Sequence, residues 1–318
     1  MSEETYHECL KCLYEYYLCP VAQRKLTYDG LMLSLTGNVV IIQGCTQNIR
    51  AALDLACQAV SAKKDKDDFY LADVDVGAVF LPQLPHLRMY SEYINQYDQV
   101  DKRLAELRTE NGRFHDFLLT QEQRLSRGDR DLAFQALLIT PIQRMTRYRL
   151  FFQMLVNHLE GHPFHASAVT CKQGIDKVCT YLNETKRLSD AVSRVVEVEV
   201  RFNTSLAEPG RYYIADAQMG KVTLAGNDVT PCVVFLFNNI LMCFKQRKGM
   251  TPKRNISIEL KDVIKVVDEE RFCAVHSTPA FSVFTTQYCL TLVVASFTER
   301  TKWKELILKE VAKLNIKK

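Results

Sequence analysis

The sequence predicts a multidomain α plus β protein. An elongated all-α helical bundle is expected over residues 1–200, then a β-barrel or sandwich over 201–318 capped by a C-terminal helix. Three observations carry this. From Phe134 to Leu159 apolar side chains recur in steps of three and four, the period of a helix. After Arg201 that period gives way to short runs rich in Val, Ile, Phe and Tyr, bounded by turn residues, which read as strands. From Ser296 the helical period returns and puts Trp303, Leu306, Ile307, Val311 and Leu314 on one stripe. A chain of 318 residues is long enough for two cores.

In chain order, Glu3 to Cys19 carries Tyr6, Leu10, Leu13, Tyr14 and Tyr17 at helical spacing and ends at Pro20. His7, Cys9 and Cys12 include a Cys-x-x-Cys spacing, but no second Cys/His pair stands nearby to complete four ligands. Ordinary core or surface thiols are expected there, and no metal. Helices are predicted at Tyr28–Ile42, Gln47–Ala62 and Asp73–Lys102, with Lys63 to Asp68 as a charged turn. Another is predicted at Leu104–Leu125, and Ser126 to Asp131 reads as the break before the Phe134–Leu159 segment. A final long helix runs from Ser167 to about Val200.

The strand candidates are Gly210–Leu224, Pro231–Phe237, Ile240–Lys245, Ile256–Asp268, Ala280–Thr286 and Tyr288–Ser296. Asn238-Asn239 between two apolar runs suggests a tight hairpin. Ser296 with Glu299 can form a capping box at the start of the last helix.

Composition bounds the function. Hydrophobic content of 47% and charged content of 25% are ordinary for a soluble globular protein. The start, MSEETYHE, lacks an apolar h-region, so no signal peptide is expected. Gly30 to Ile49 is free of charge and long enough to span a bilayer, yet its three Gly, two Asn and two Gln point to a buried helix pair. Eleven Cys scattered singly suit a reducing cytoplasm. Residues 201–318 hold 18 Lys/Arg against 11 Asp/Glu, whereas residues 1–200 hold 23 against 26. A weakly acidic first part before a basic second part argues against a nucleic-acid binder running the whole length and allows a membrane-facing second part. There is no G-x-x-x-x-G-K-[ST], no nucleophile elbow and no His-Glu-x-x-His, so neither covalent chemistry nor a cofactor is expected.

The segment Phe134–Leu159 has two faces. Phe134, Leu138, Ile142, Met145, Tyr148, Phe152, Leu155 and Leu159 form one. Ile139, Gln143, Arg147, Leu150 and Met154 form the other, where apolar groups interleave with one amide and one cation. A mixed face of that kind fits a partner surface; a helix buried on both sides is the alternative reading. Pro141 removes a backbone donor and predicts a bend near Thr140.

Within it, LLITPIQRMTRYRLFF resembles the signature helix of Dbl-homology domains, which activate Rho-family GTPases. Pro141, Gln143, Arg144, Arg147, Tyr148 and Leu150 match the family's pattern. Thr140 stands where the family usually has Lys, Arg149 where Pro is common, and Phe151 and Phe152 replace two leucines. The opening stretch matches the family's first helix at Glu3 and Tyr6, and TYLNETKRL resembles its last-helix segment at Asn183. VVFLFNNILMCFK is similar to a segment of pleckstrin-homology domains, and the two domains in this order form the family's usual tandem.

The resemblance implies a seven-stranded pleckstrin-homology barrel and a guanine-nucleotide exchange factor for a Rho-family small GTPase, preferring its nucleotide-free form. Glu3 would accept hydrogen bonds from the first switch of the GTPase. Arg147 and Asn183 would hold the second switch, with Gln143 beside them, and Ile139, Leu150 and Met154 would be apolar interface and selectivity positions. Glu3 and Asn183 are expected to be solvent-exposed until the partner docks. A non-catalytic adaptor that binds a GTPase or lipid through the same architecture is the alternative. In the second domain, Lys245, Arg247, Lys248, Lys253 and Arg254 concentrate charge in an expected loop. With Lys221 they suit weak contact with an anionic phospholipid surface, each cation contributing about 1 kcal/mol near it. The inositol-phosphate pattern is not completed, because PCVVFLF offers no cation. The expected location is the cytoplasm, with recruitment to the inner membrane surface.

Overall fold

The computed structural model describes residues 2–27, 29–62, 73–125, 132–223, 228–247, 250–270 and 277–316. The chain divides into two compact units, Met1–Arg187 and Leu188–Lys318. The expected turn at Lys63–Asp68 and the expected break at Ser126–Asp131 lie outside the described residues.

The first unit is helical. Helix α1 (Glu3–Cys12) starts because the Ser2 hydroxyl accepts the Thr5 N–H at 3.1 Å, satisfying one orphan donor of the first turn. A widened π-helical stretch, Leu13–Leu18, leads into α2 (Cys19–Gln23). The ring of Pro20 needs room at the preceding turn, and a widened turn supplies it. Tyr6, Cys9, Leu10, Leu13 and Tyr17 enter the core.

Residues 30–61 form one helix, α3 (Gly30–Ser61), and not the expected buried pair. Asp29 caps it by accepting the Leu31 N–H at 2.9 Å. Met32, Leu35, Val39, Ile42 and Ile49 bury one side, while Leu33, Val40 and Ile41 face water. Gly30, Gly37 and Gly44 do not interrupt the helix, and none of them has a left-handed backbone. No described helix is long and apolar enough to cross a membrane.

The segment 73–125 is more broken than its periodicity implies. It forms α4 (Val76–Phe80), two 3₁₀ turns, α5 (Tyr90–Glu110) and α6 (Gly112–Leu125). Pro82 and Pro85 fall in the stretch where α4 stops. Asn111 divides α5 from α6: its amide oxygen accepts the Phe114 N–H at 3.1 Å and its NH₂ donates to the Leu26 carbonyl at 2.9 Å.

Pro141 splits the central segment into α7 (Phe134–Leu138) and α8 (Thr140–His158) at Ile139, so the expected bend is a break. Pro141 has no N–H to offer the Leu137 carbonyl. The Thr140 hydroxyl donates to that carbonyl instead at 2.7 Å, and the buried Tyr93 hydroxyl donates to the Leu138 carbonyl at 2.6 Å. Helix α9 (His165–Phe202) follows. Its Cys171, Ile175, Val178 and Leu182 close the core of the first unit.

The second unit begins inside α9, earlier than residue 201, because Val195, Val198 and Phe202 pack against the sheet. That sheet has seven antiparallel strands in the order β4-β3-β2-β1-β7-β6-β5. They are β1 (Tyr213–Val222), β2 (Val229–Phe237), β3 (Ile240–Arg247), β4 (Met250–Glu259), β5 (Val263–Asp268), β6 (Ala280–Thr285) and β7 (Cys289–Val293). Leu236 pairs with Leu241 around the expected Asn238-Asn239 hairpin.

The expected single strand Ile256–Asp268 is two strands separated by a 3₁₀ turn, Leu260–Asp262. The expected basic loop is largely strand: β3 runs to Arg247 and β4 starts at Met250, with Lys245 opposite Lys253. A β2 buried on both faces reads as a continuous apolar run, and here Cys232 to Phe237 is almost wholly buried. One face packs under helix α10 (Phe297–Ile316) through Trp303 and Ile307, the other under Val195, Val198 and Phe202. Half of the expected capping box forms, with the Ser296 hydroxyl accepting the Glu299 N–H at 3.1 Å; the Glu299 carboxylate takes the N–H of Ala295 at 3.2 Å rather than that of Ser296.

Candidate functional site

Helix α8 carries two different faces, and the structure assigns them. Met145, Tyr148 and Phe152 are buried, with the Phe80 ring set edge-on to both Tyr148 and Phe152 at centroid distances of 5.5 and 5.0 Å. Gln143, Arg147, Leu150 and Met154 are exposed, and Ile139, in the break, is half-buried. Leu150 and Met154 are 59% and 60% exposed, values that a core position does not show. The reading in which both sides of this helix are buried is therefore excluded. Phe151, 46% exposed, extends the apolar part of this face.

Asn183 is also exposed, on α9. Arg149 Nε donates to Asp176 Oδ1 at 2.9 Å, and the Cys179 thiol lies 4.0 Å from the Met145 carbonyl. The two helices therefore run antiparallel, and one turn beyond Cys179 puts Asn183 level with the first turn of α8, where Gln143 begins the mixed face. The side chains of Gln143, Arg147 and Asn183 make no hydrogen bond or ion pair to another described residue. Asp176 differs: Lys172 beside it, and then Arg149, hold its carboxyl below the ordinary carboxylate range.

Glu3 is placed otherwise than expected. It is not an exposed carboxylate: its side chain is 11% exposed and forms an ion pair with Arg144, itself 7% exposed. The Tyr148 hydroxyl lies 2.9 Å from Glu3 Oε1 and 3.0 Å from Oε2. Burial pushes the Tyr148 phenol well above its ordinary value, so it stays protonated and donates. The Arg144 guanidinium also lies over two rings, 5.0 Å from the Tyr6 centroid and 4.6 Å from that of Tyr148. Below it the Tyr6 and Tyr90 hydroxyls are 3.1 Å apart, both side chains fully buried. Arg144 and Tyr148 belong to one face by the i, i+4 rule, and Arg147 is one turn from Arg144. Glu3 thus sits where the buried face of α8 meets its exposed face.

The expected roles of Glu3 did not foresee Arg144, Tyr6 and Tyr90 around it. The signal was available: Arg144 is a cation within a stripe otherwise made of Met145, Tyr148 and Phe152, and a buried cation needs an anion or several hydrogen-bond acceptors around it. Which anion could not be read, since Glu3 lies 141 residues away.

In the second unit, Lys221 is half-buried near the end of β1 and close to Cys232 and Cys243, both fully buried. Lys245 is half-buried on β3, opposite Cys232. The backbones of Arg247, Lys253 and Arg254 lie on β3 and β4; Lys248 is outside the described residues.

The RhoGEF domain family matches residues 1–183. Myosin-M heavy chain of Dictyostelium discoideum is 25% identical over 248 residues, covering 76% of this chain and 14% of that protein. Guanine exchange factor for Rac 30, from the same organism, is 31% identical over 179 residues, covering 55% of this chain and 10% of that protein. The chain thus spans only a small part of the length of these relatives. Two solved structures share the fold across 98% of the chain. Autoinhibited Vav1 superposes with a TM-score of 0.76 at 16% identity, with 55% of that chain covered. The complex of PDZ-RhoGEF DH/PH domains with GTP-gamma-S activated RhoA gives 0.75 at 15% identity, with 91% covered.

Proposed function

The chain belongs to the RhoGEF family, and from that premise we propose that it is a guanine-nucleotide exchange factor for a Rho-family small GTPase. The observation that carries the proposal is the mixed face of α8. Gln143, Arg147, Leu150 and Met154 stand exposed together, with Asn183 on the neighbouring helix level with their first turn. Apolar anchors among a few directional polar groups are what an interface needs and what a merely solvated helix lacks.

No bond is made or broken in this role. A GTPase holds its nucleotide through Mg²⁺, phosphate-cradling backbone and ordered switch loops. A partner that binds the nucleotide-free form more tightly weakens nucleotide binding by the same factor. Each tenfold corresponds to about 1.4 kcal/mol of differential binding, so several contacts must act together. Arg147 and Asn183 supply directional donors to the second switch, Gln143 stands beside them, and Glu3 supplies an acceptor to the first. Ile139, Leu150 and Met154 are the apolar and selectivity positions. Arg147 is a planar fork rather than a point charge, which favours a bidentate acceptor on the partner.

The test is release of a fluorescent nucleotide from a panel of Rho, Rac and related GTPases, with and without this protein. Acceleration on at least one member is expected. In size exclusion, a complex is expected when Mg²⁺ is chelated and nucleotide removed, and it should dissociate on adding excess GDP or GTP with Mg²⁺. Retention by a GTP analogue alone, with no binding to the empty GTPase, would establish the adaptor instead.

The basic stretch of the second unit suits weak contact with anionic lipid, on its charge density alone. Neutralising Lys245, Arg247, Lys248, Lys253 and Arg254 together should abolish binding to phosphatidylserine vesicles and leave exchange in solution intact. Equal vesicle binding by that variant removes the stretch from consideration. A membrane-recruited cytoplasmic location is the corresponding proposal.

A further inference from the structure

The Glu3 carboxylate is held by two groups on α8 that differ in kind. Arg144 pairs with Oε2 and supplies charge, while the Tyr148 hydroxyl reaches both oxygens at 2.9 and 3.0 Å. A carboxylate offers about four acceptor positions. Arg144 pairs with Oε2, so with Tyr148 shared between both oxygens the carboxylate keeps acceptor capacity, and its side chain is still 11% exposed. The two holders are themselves immobilised. The Arg144 guanidinium lies over both the Tyr6 and the Tyr148 rings, and the Tyr148 ring packs edge-on to Phe80 at 5.5 Å. An exposed glutamate in a first helical turn would sample several rotamers; this one is held in place by Arg144 and Tyr148.

We propose that Arg144 and Tyr148 are positioning residues of the exchange site, which fix the Glu3 carboxylate with one edge turned toward an incoming hydrogen-bond donor of the partner. Neither touches the partner; both act through Glu3. A preorganised acceptor loses no rotamer freedom when the partner docks, so its bond contributes fully to the nucleotide-free complex. This inference rests on the reading of the chain as an exchange factor, and it makes the buried pair part of that activity rather than only a pin between α1 and α8.

A double-mutant cycle on the exchange rate tests it, using the whole chain and the most responsive GTPase of the panel at saturating concentration. Glu3→Gln should slow exchange about tenfold, and Tyr148→Phe, which removes one hydroxyl and keeps the packed ring, about fivefold. In the Glu3→Gln background Tyr148→Phe should change the rate less than about twofold, since the group it acts through is gone. Arg144→Lys, which keeps the charge and loses the fork, should resemble Tyr148→Phe; if it fails to fold, the tyrosine arm decides alone. Equal slowing by Tyr148→Phe in the unmodified and the Glu3→Gln backgrounds, or no slowing at all, overturns the proposal. Full exchange by Glu3→Gln overturns it too, while leaving the chain an exchange factor. Absence of exchange by the unmodified protein on every GTPase removes the underlying reading instead.

Discussion

The Tyr148 hydroxyl bridges both carboxylate oxygens of Glu3, at 2.9 and 3.0 Å, across 145 residues of chain. With the Arg144 ion pair, it joins the first helical turn to the middle of α8. A buried charge pair adds little over a well-packed apolar contact, but breaking one partner leaves the other uncompensated.

Glu3→Ala should therefore destabilise the first unit by about 3 kcal/mol, because Arg144 would remain buried without its anion. Urea denaturation followed by circular dichroism measures this. A loss below about 0.5 kcal/mol, the level of an ordinary surface change, would mean that Glu3 is not held as described.

Arg147→Ala and Asn183→Ala should behave in the opposite way. Both side chains are exposed. Each substitution should lower exchange about tenfold, near 1.4 kcal/mol of complex stability, while shifting folding stability by less than about 0.5 kcal/mol. Nucleotide-release kinetics and urea melts on the same samples check the pair of values.

Two glycines in the first unit should respond with opposite signs. A Cβ on Gly77 in α4 would meet the Ser167 carbonyl carbon at 2.6 Å and the Ala168 nitrogen at 2.7 Å, both backbone atoms that cannot swing away. Gly77→Ala should cost about 1–3 kcal/mol. Gly37, inside α3, has open space around its Cβ position, so Gly37→Ala should stabilise by about 0.5–1 kcal/mol. Melting temperatures of the two variants moving the same way would contradict the packing at Gly77.

The half-buried Cys12 and the buried Cys171 predict an alkaline loss of stability. Burial pushes Cys12 up to about 11 and Cys171 up to about 12, against about 8.5 for a free thiol. Between those values the unfolded chain releases protons that the folded chain keeps, so ν_U is below ν_N and stability falls as pH rises. The contribution is complete below about pH 8.5 and is lost progressively above it. Urea midpoints under reducing conditions should decline across that range, and the Cys12→Ala, Cys171→Ala double variant should flatten the decline.

Much of the fold was legible because it rests on period. The stripe of Trp303, Leu306, Ile307, Val311 and Leu314 is the buried side of α10, and the Asn238-Asn239 turn is where β2 and β3 meet. The breaks were less legible. Thr140 and Tyr93 both serve the interruption at Pro141, but only Thr140 is local to it. The unit boundary was displaced for the same reason: Val195, Val198 and Phe202 continue the helical period of α9 while packing on strands that come later in the chain.

Residue spacing was enough to dictate the class of each half and the two faces of α8, because in a helix the angle between side chains follows from their separation in the chain. Gln143, Arg147, Leu150 and Met154 had to share a face wherever the helix lay. Packing between elements then set which face met water, and made Glu3 an engaged anion and not a free one. The partners of Glu3 are Arg144 and Tyr148, 141 and 145 residues away. A contact between elements that distant depends on how they pack, and no local period encodes it.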